Sequence, residues 1–394
     1  MPTQRSLFLQ HVAQTSDFPL CLEIEKAEGM YMTDVDGKTY LDLISGISVS
    51  NLGHRHPNVI HAVKEQLEKY TYLMVYGEFV QSPQVKLAQL LCNQLPEPLS
   101  SCYFVNSGSE ANEGAMKLAK RYTGRKEIIS FKNAYHGSTQ GCLSIIGGDD
   151  FKKPFEPLLP NITQLEFNNG SDLAKITTAT ACVVVEPIMG EAGVIVPQND
   201  FLLKLRKKCT ETGALLIFDE IQTGFGRTGK LFALEHFGVV PDILTLAKAM
   251  GGGFPIGAFV ASNTIMSSLK TNPILGHITT FGGHPVSCAA AFANLHTLLT
   301  NKELINTVAT KEQLFRKLLV HQKIKELRSF GLLIAVEFDS FETNKAIIDR
   351  CIENGVLTDW FLFNDKSLRI APPLIITEQE IEMACKVILE AIEK

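Results

Sequence analysis

Apolar residues in the first part of the chain come in short unbroken runs, not in strict alternation. Ser101-Cys-Tyr-Phe-Val105, Glu127-Ile-Ile-Ser-Phe131, Val183-Val-Val185, Leu215-Leu-Ile-Phe218 and Ile243-Leu-Thr-Leu246 each fit a strand buried on both faces. Between them the apolar residues recur at helical spacing, so strand and helix alternate through Val260. That rhythm predicts an α/β fold, a mostly parallel sheet covered by helices on both faces. Upstream, Tyr31 to Leu43 reads as a β-hairpin turning at Asp36-Gly37, and residues 45–56 as a small, polar loop. Pro57–Leu67 reads as a helix with proline in its first turn, and a second helix covers residues 82–95. Beyond His284-Pro285 the rhythm changes. Helices are expected at 286–299, 304–319, 345–354 and 378–392, with strands at 331–338 and 368–370. This tail predicts a smaller α+β domain over residues 286–394, joined by the N-terminal segment 1–50, beside a large domain over 51–285.

Composition narrows the class. Hydrophobic residues make up 45% and charged residues 20% of the 394, enough for a full core. A net charge of −5 disfavours nucleic-acid binding through bulk charge. The nine cysteines show no CxxC pair or zinc spacing, and no signal peptide precedes them, so they read as reduced thiols in a cytoplasmic protein. No apolar run is long enough to span a bilayer, and no metal site is expected.

The chemistry gathers at strand ends. Ile243-Leu-Thr-Leu-Ala-Lys248 ends an apolar run in a lysine, and a glycine-rich turn follows. Alone, that lysine is as well explained by a solvated strand cap. Two other runs end in Asp219-Glu220 and in Glu186-Pro187. An amine and carboxylates at one sheet edge are what a pyridoxal phosphate site needs: the amine for a covalent link, a carboxylate for the pyridinium nitrogen. Ser107 and Glu110 match a capping box, and the helix start they fix, with Gly108 allowing close approach, can bind an anion. An ordinary capped helix is the alternative. Gly224-Phe-Gly-Arg-Thr-Gly-Lys230 imitates a nucleotide-binding loop, but Leu231 stands where a magnesium-binding Ser or Thr belongs. His54 and His56 flank an arginine in a loop and read as surface residues.

Taken together, the motifs resemble the class III pyridoxal-phosphate aminotransferases, of the aspartate-aminotransferase fold group. The resemblance runs from Asp34-Val-Asp-Gly37 to Leu368-Arg-Ile-Ala-Pro-Pro373. It is carried by Asn106-Ser-Gly-Ser-Glu-Ala-Asn-Glu113, Glu186-Pro-Ile-Met-Gly-Glu-Ala-Gly-Val194, Phe218-Asp-Glu-Ile-Gln-Thr-Gly-Phe-Gly-Arg-Thr-Gly229 and Thr280-Phe-Gly-Gly-His-Pro285. It implies that Lys248 carries the cofactor and moves the proton, and that Asp219 faces the pyridinium nitrogen. Gly108 and Ser109 would cradle the phosphate, Tyr135 and Ile221 would cover the two ring faces, and Gln222 would sit near the phenolic oxygen. Glu186 belongs to the same cofactor set. Thr280 would reach the phosphate of a neighbouring subunit, which implies a homodimer with shared active sites. A ping-pong transfer from an amino donor to an oxo-acid follows. In the branch resembling acetylornithine, ornithine and 4-aminobutyrate aminotransferases, a glutamate and an arginine, here Glu191 and Arg369, change the charge offered to the two substrates. A purely structural ion pair is the alternative for these two.

The chain departs from the pattern in places. Ser138 stands where relatives that use 2-oxoglutarate usually carry arginine, which leaves pyruvate as an alternative acceptor. Ile47 stands where the ornithine branch has tyrosine, which leans toward an acetylornithine-like donor. Met189 replaces a common glutamine. An aminomutase of the glutamate-semialdehyde type shares the fold and is the alternative reaction.

Overall fold

The computed structural model describes residues 3–394. Its centre is a seven-stranded sheet in the order Ser101–Val105, Gly257–Ala261, Ile243–Leu246, Leu215–Asp219, Thr180–Val185, Glu127–Phe131 and Ile162–Leu165. All neighbours run parallel except Gly257–Ala261, which is antiparallel to both of its partners. Every residue of Thr180–Val185, Leu215–Asp219, Ile243–Leu246 and Gly257–Ala261 is buried. That is why the runs are unbroken: helices cover both faces, so no strand position needs to be polar. The C-terminal ends of the parallel strands share one edge, where open α/β sheets bind ligands.

Two smaller four-stranded sheets flank this layer. Ile24–Glu28, Tyr31–Asp34 and Thr39–Asp42 form an antiparallel meander, and Val356–Leu357 adds parallel to its last strand. The hairpin turn forms because Asp34 Oδ1 accepts the amides of Asp36 and Lys38 at 3.1 and 2.9 Å, while Gly37 takes φ +82°. The other sheet holds Glu326–Ser329, Ile334–Glu337, Asn364–Ile370 and Asp359–Phe361. Residues before 50 thus pair with residues after 350.

Four local expectations need correction. The helix expected over 304–319 breaks at Thr307 into Glu303–Asn306 and Val308–Leu318. The strand expected from Gly331 begins at Ile334, because Gly331 has φ +63° and the Leu332 amide donates to the Arg227 carbonyl. Residues 45–48 are not irregular: Ser45, Gly46, Ile47 and Ser48 all have φ between 45° and 63°, a left-handed turn uncommon for a β-branched residue. His54 is not a free surface residue, since its Nε2 lies 2.8 Å from the buried Asp42 carboxylate.

The loop that imitates a nucleotide-binding motif has another use. Arg227 is 1% exposed, and its guanidinium donates to the carbonyls of Leu332 and Pro372 and to Ser45 Oγ. It joins the loop after the central strand Leu215–Asp219 to the N-terminal segment and to two places in the C-terminal part.

Candidate active site

At the edge strand Ser101–Val105 the chain turns into the helix Gly108–Thr123. Ser107 caps it, its Oγ accepting the Glu110 amide at 3.1 Å. The Glu110 carboxylate returns not to Ser107 but to Asn106, taking its amide at 2.7 Å and its Nδ2 at 2.8 Å. The capping box expected from the sequence is therefore closed one residue early. The first helical amides remain open at Gly108 and Ser109. A Cβ on Gly108 would stand 2.8 Å from Ile221 Cδ1, and one on Gly257 would stand 2.4 Å from the Ser107 carbonyl oxygen. At Gly257 only glycine lets the two backbones come so close, whereas at Gly108 the Ile221 side chain would have to shift.

Asp219 ends the central strand and is 4% exposed. Its Oδ1 accepts the Ile221 amide at 3.0 Å; its Oδ2 accepts Asn112 Nδ2 at 2.7 Å and lies 2.8 Å from His136 Nδ1. Because the carboxylate can only accept, the His136 proton is assigned to Nδ1. Asn112 is itself fixed, with Nδ2 on the His136 carbonyl and Oδ1 accepting the Thr245 hydroxyl, each at 2.8 Å. Three donors thus hold the carboxylate's position. Glu186 accepts the Tyr135 amide at 3.0 Å and the Gly190 amide at 2.9 Å. Burial pushes its carboxyl up to about 7, with Asp219 adding to the effect. Lys248 follows the strand Ile243–Leu246 in a left-handed conformation, φ +46°. Burial lowers its amine below the usual lysine value; Glu191 opposes the shift and Arg369 reinforces it. An amine lowered in this way spends more time neutral and nucleophilic.

These groups line one cavity of 460 Å³. Gly108, Ser109, Tyr135, Glu186, Asp219, Ile221, Gln222 and Lys248, all expected from the sequence, lie in its wall. Others are placed differently. Ile47 is half-buried outside the wall, and Val49, two residues on, lines the cavity instead. Ser138 is exposed beside the cavity, its Oγ 3.0 Å from the Tyr135 hydroxyl and its amide on Ser109 Oγ at 3.2 Å. Thr280 is exposed and away from this cavity, its carbonyl accepting the Tyr72 hydroxyl at 2.7 Å. Glu191 and Arg369 are paired through both oxygens, at 2.7 and 3.0 Å, and Gln222 Nε2 stands 3.5 Å from Glu191 between the pair and the cavity. Burial pushes the Glu191 carboxyl up, but Arg369 and Lys248 more than offset this and hold it below the usual value. Asn112, His136 and Thr245 were not anticipated. The one available signal was an asparagine on the apolar face of a helix otherwise lined by Ala111, Ala115 and Met116.

The donor set fits a phosphorylated pyridine aldehyde: an open helix start too tight for a side chain, a buried carboxylate, and an amine in one cavity. The sequence pattern of the aminotransferase class-III family matches residues 12–392. The chain is a class III aminotransferase. Among its relatives is the acetylornithine aminotransferase of Archaeoglobus fulgidus, 38% identical over 93% of this chain and 94% of its own length. The putrescine aminotransferase of Pectobacterium atrosepticum is 41% identical over 92% of this chain and 80% of its own. The ornithine aminotransferase of Toxoplasma gondii, crystallised with partly occupied pyridoxal phosphate, superposes with a TM-score of 0.91 at 31% identity, over 98% of this chain and 92% of its own. The aminotransferase uses pyridoxal 5'-phosphate and passes an amino group from a donor to an oxo-acid acceptor. The cofactor supplies an aldehyde that exchanges amines and a ring that withdraws electrons. Among the described residues no helix is long and apolar enough to cross a membrane, and no cluster of potential metal ligands is present.

Proposed function

We propose that this aminotransferase takes the ω-amino group of an acetylornithine-like donor, with Lys248 as the covalent anchor and proton carrier and Asp219 as the counter-charge to the pyridinium nitrogen. Gly108 and Ser109 hold the phosphate, Tyr135 and Ile221 cover the ring faces, and Gln222 and Glu186 complete the wall. The buried Glu191–Arg369 pair carries the reading. Paired, it leaves no free guanidinium to face an ω-amine; opened, it offers one to an oxo-acid carboxylate by a two-pronged contact. The relatives' names, acetylornithine, putrescine and ornithine aminotransferases, agree with an ω-amino donor. With Ser138 at the cavity rim the acceptor is small, pyruvate before 2-oxoglutarate.

We read the active unit as a cytoplasmic homodimer. The exposed Thr280 lies among exposed Ile274, Leu275, Ile278 and Phe281, a surface suited to a second copy whose cavity Thr280 would reach. The nine free thiols suit a reducing compartment. Residues 1–50 with 286–394 form the small domain in this reading, and their strand pairing supports it.

The test is a spectral screen. Aldehyde-form enzyme is mixed in turn with acetylornithine, ornithine, lysine, 4-aminobutyrate, β-alanine and glutamate, and its conversion to the amine form is followed by absorbance. Fast conversion by ω-amines is expected. Conversion by α-amino acids alone would overturn the ω-specific reading.

A further inference from the structure

Arg369 has two occupied edges, and they belong to different parts of the molecule. Nη1 and Nη2 donate to Glu191, which sits on the loop after the strand Thr180–Val185 of the seven-stranded sheet. The other edge faces the strand beside its own. Nε lies 3.0 Å from Asp359 Oδ1, out of line with its N–H, so that contact is ionic rather than a straight hydrogen bond. Nη2 also donates to the Trp360 carbonyl at 2.6 Å, and the Phe361 ring lies 4.6 Å from the guanidinium carbon. Asp359 and Arg369 are directly opposed in the antiparallel pairing of Asp359–Phe361 with Asn364–Ile370, and the Thr358 hydroxyl donates to the Arg369 carbonyl. One short segment therefore supplies every contact of this edge.

We propose that Asp359 is the fixed partner of Arg369, the residue that keeps the guanidinium in place when Glu191 gives up its two hydrogen bonds to the carboxylate of the acceptor. This rests on the reading of Arg369 as the acceptor's carboxylate site. The incoming carboxylate takes over Nη1 and Nη2, while Nε remains on Asp359. One carboxylate replaces another, so the charge around Arg369 is the same before and after. Asp359 therefore acts through geometry, not through a change in net charge. Without it, the strongest remaining tie of Arg369 is to Glu191, and the guanidinium follows that side chain out of register with the substrate. Asp359 touches no reacting atom in this scheme and is a positioning residue.

The experiment uses holoenzyme in the amine form, mixed under single-turnover conditions with pyruvate or with propanal, a carbonyl acceptor without a carboxylate. Asp359→Ala is expected to raise the apparent Kd for pyruvate about tenfold and to leave the reaction with propanal unchanged. Asp359→Asn keeps the shape and an acceptor oxygen, so it shifts the same ratio by less, and it serves alone if the alanine chain does not fold. Equal losses with both acceptors, or no loss with either, would overturn the proposal. Arg369→Ala separates the two levels of the argument. If it leaves pyruvate binding intact, the carboxylate-site reading itself fails; if it abolishes the pyruvate preference while Asp359→Ala and Asp359→Asn do not change it, only the role of Asp359 fails.

Discussion

The two ends of the active site are built on opposite plans. At the cofactor end, the two carboxylates are held by partners that no substrate displaces. Asp219 has a backbone amide, Asn112 and His136; Glu186 has two amides. At the substrate end, the Glu191–Arg369 bonds are the kind a carboxylate ligand can replace. Both ends are buried, so burial alone does not distinguish them. What differs is whether a group is held by neutral donors alone or also by a second ion: Glu191 accepts the Leu362 amide at 3.0 Å and Arg369 donates to the Trp360 carbonyl, but their bonds to each other join two ions. In the proposed reading the fixed end serves chemistry common to all donors, and the exchangeable end selects among them.

Removing the amine from the fixed end gives the largest effect. Lys248→Ala should lower turnover by roughly a thousandfold or more and abolish the visible band of the covalently bound cofactor. Steady-state assay and absorbance after reconstitution check it, and a variant with full activity would refute the assignment. Glu191→Gln breaks the exchangeable end instead. It leaves Arg369 unmasked, so kcat/KM for the oxo-acid should rise relative to the ω-amine by about tenfold. An unchanged ratio would make the pair merely structural. Gly108→Ala presses a Cβ onto Ile221 at 2.8 Å, and should weaken cofactor binding and cost about 1–3 kcal/mol of stability while sparing the Glu191–Arg369 preference. Cofactor titration and denaturant unfolding report the two effects.

The smallest effect is a dependence on pH. Burial raises Glu186 to about 7 and Glu220, next to Asp219 in the chain, to about 8, from an ordinary value of 4.5. The folded chain then binds more protons than the unfolded chain between these values. Their stabilising contribution is full below the ordinary carboxylate value and is lost as pH rises through the raised ones. The unfolding midpoint should fall by a few degrees over that window, and Glu220→Gln should flatten the slope. Glu191, held below the ordinary value, adds nothing in the same window, whereas burial raises Asp359 at the substrate end to about 6, so it adds to the same slope.

The fixed end was the more legible one, because its determinants are local. A strand run ending in lysine, another ending in Asp219, and a serine-glycine helix start can each be read within a few residues. Pro57–Leu67 was legible for the same reason, since its proline marks the first turn. Glu191 and Arg369 lie 178 positions apart and entered only through resemblance. Asp359 was not legible, because only strand register sets it opposite Arg369. Asn112 was hidden because polar residues in helices usually face water, and the left-handed turn at 45–48 because Ile47 gives no sign of positive φ. The break at Thr307 was missed because the apolar spacing continues across it.

Arg227 has a consequence for motion. Its charge is shared among the carbonyls of Leu332 and Pro372 and the hydroxyl of Ser45, in a site closed to solvent. Sliding the C-terminal sheet past the central one would strand a bare cation, at a cost of several kcal/mol. Any rocking of the two layers over a substrate must therefore swing about this guanidinium as its axle.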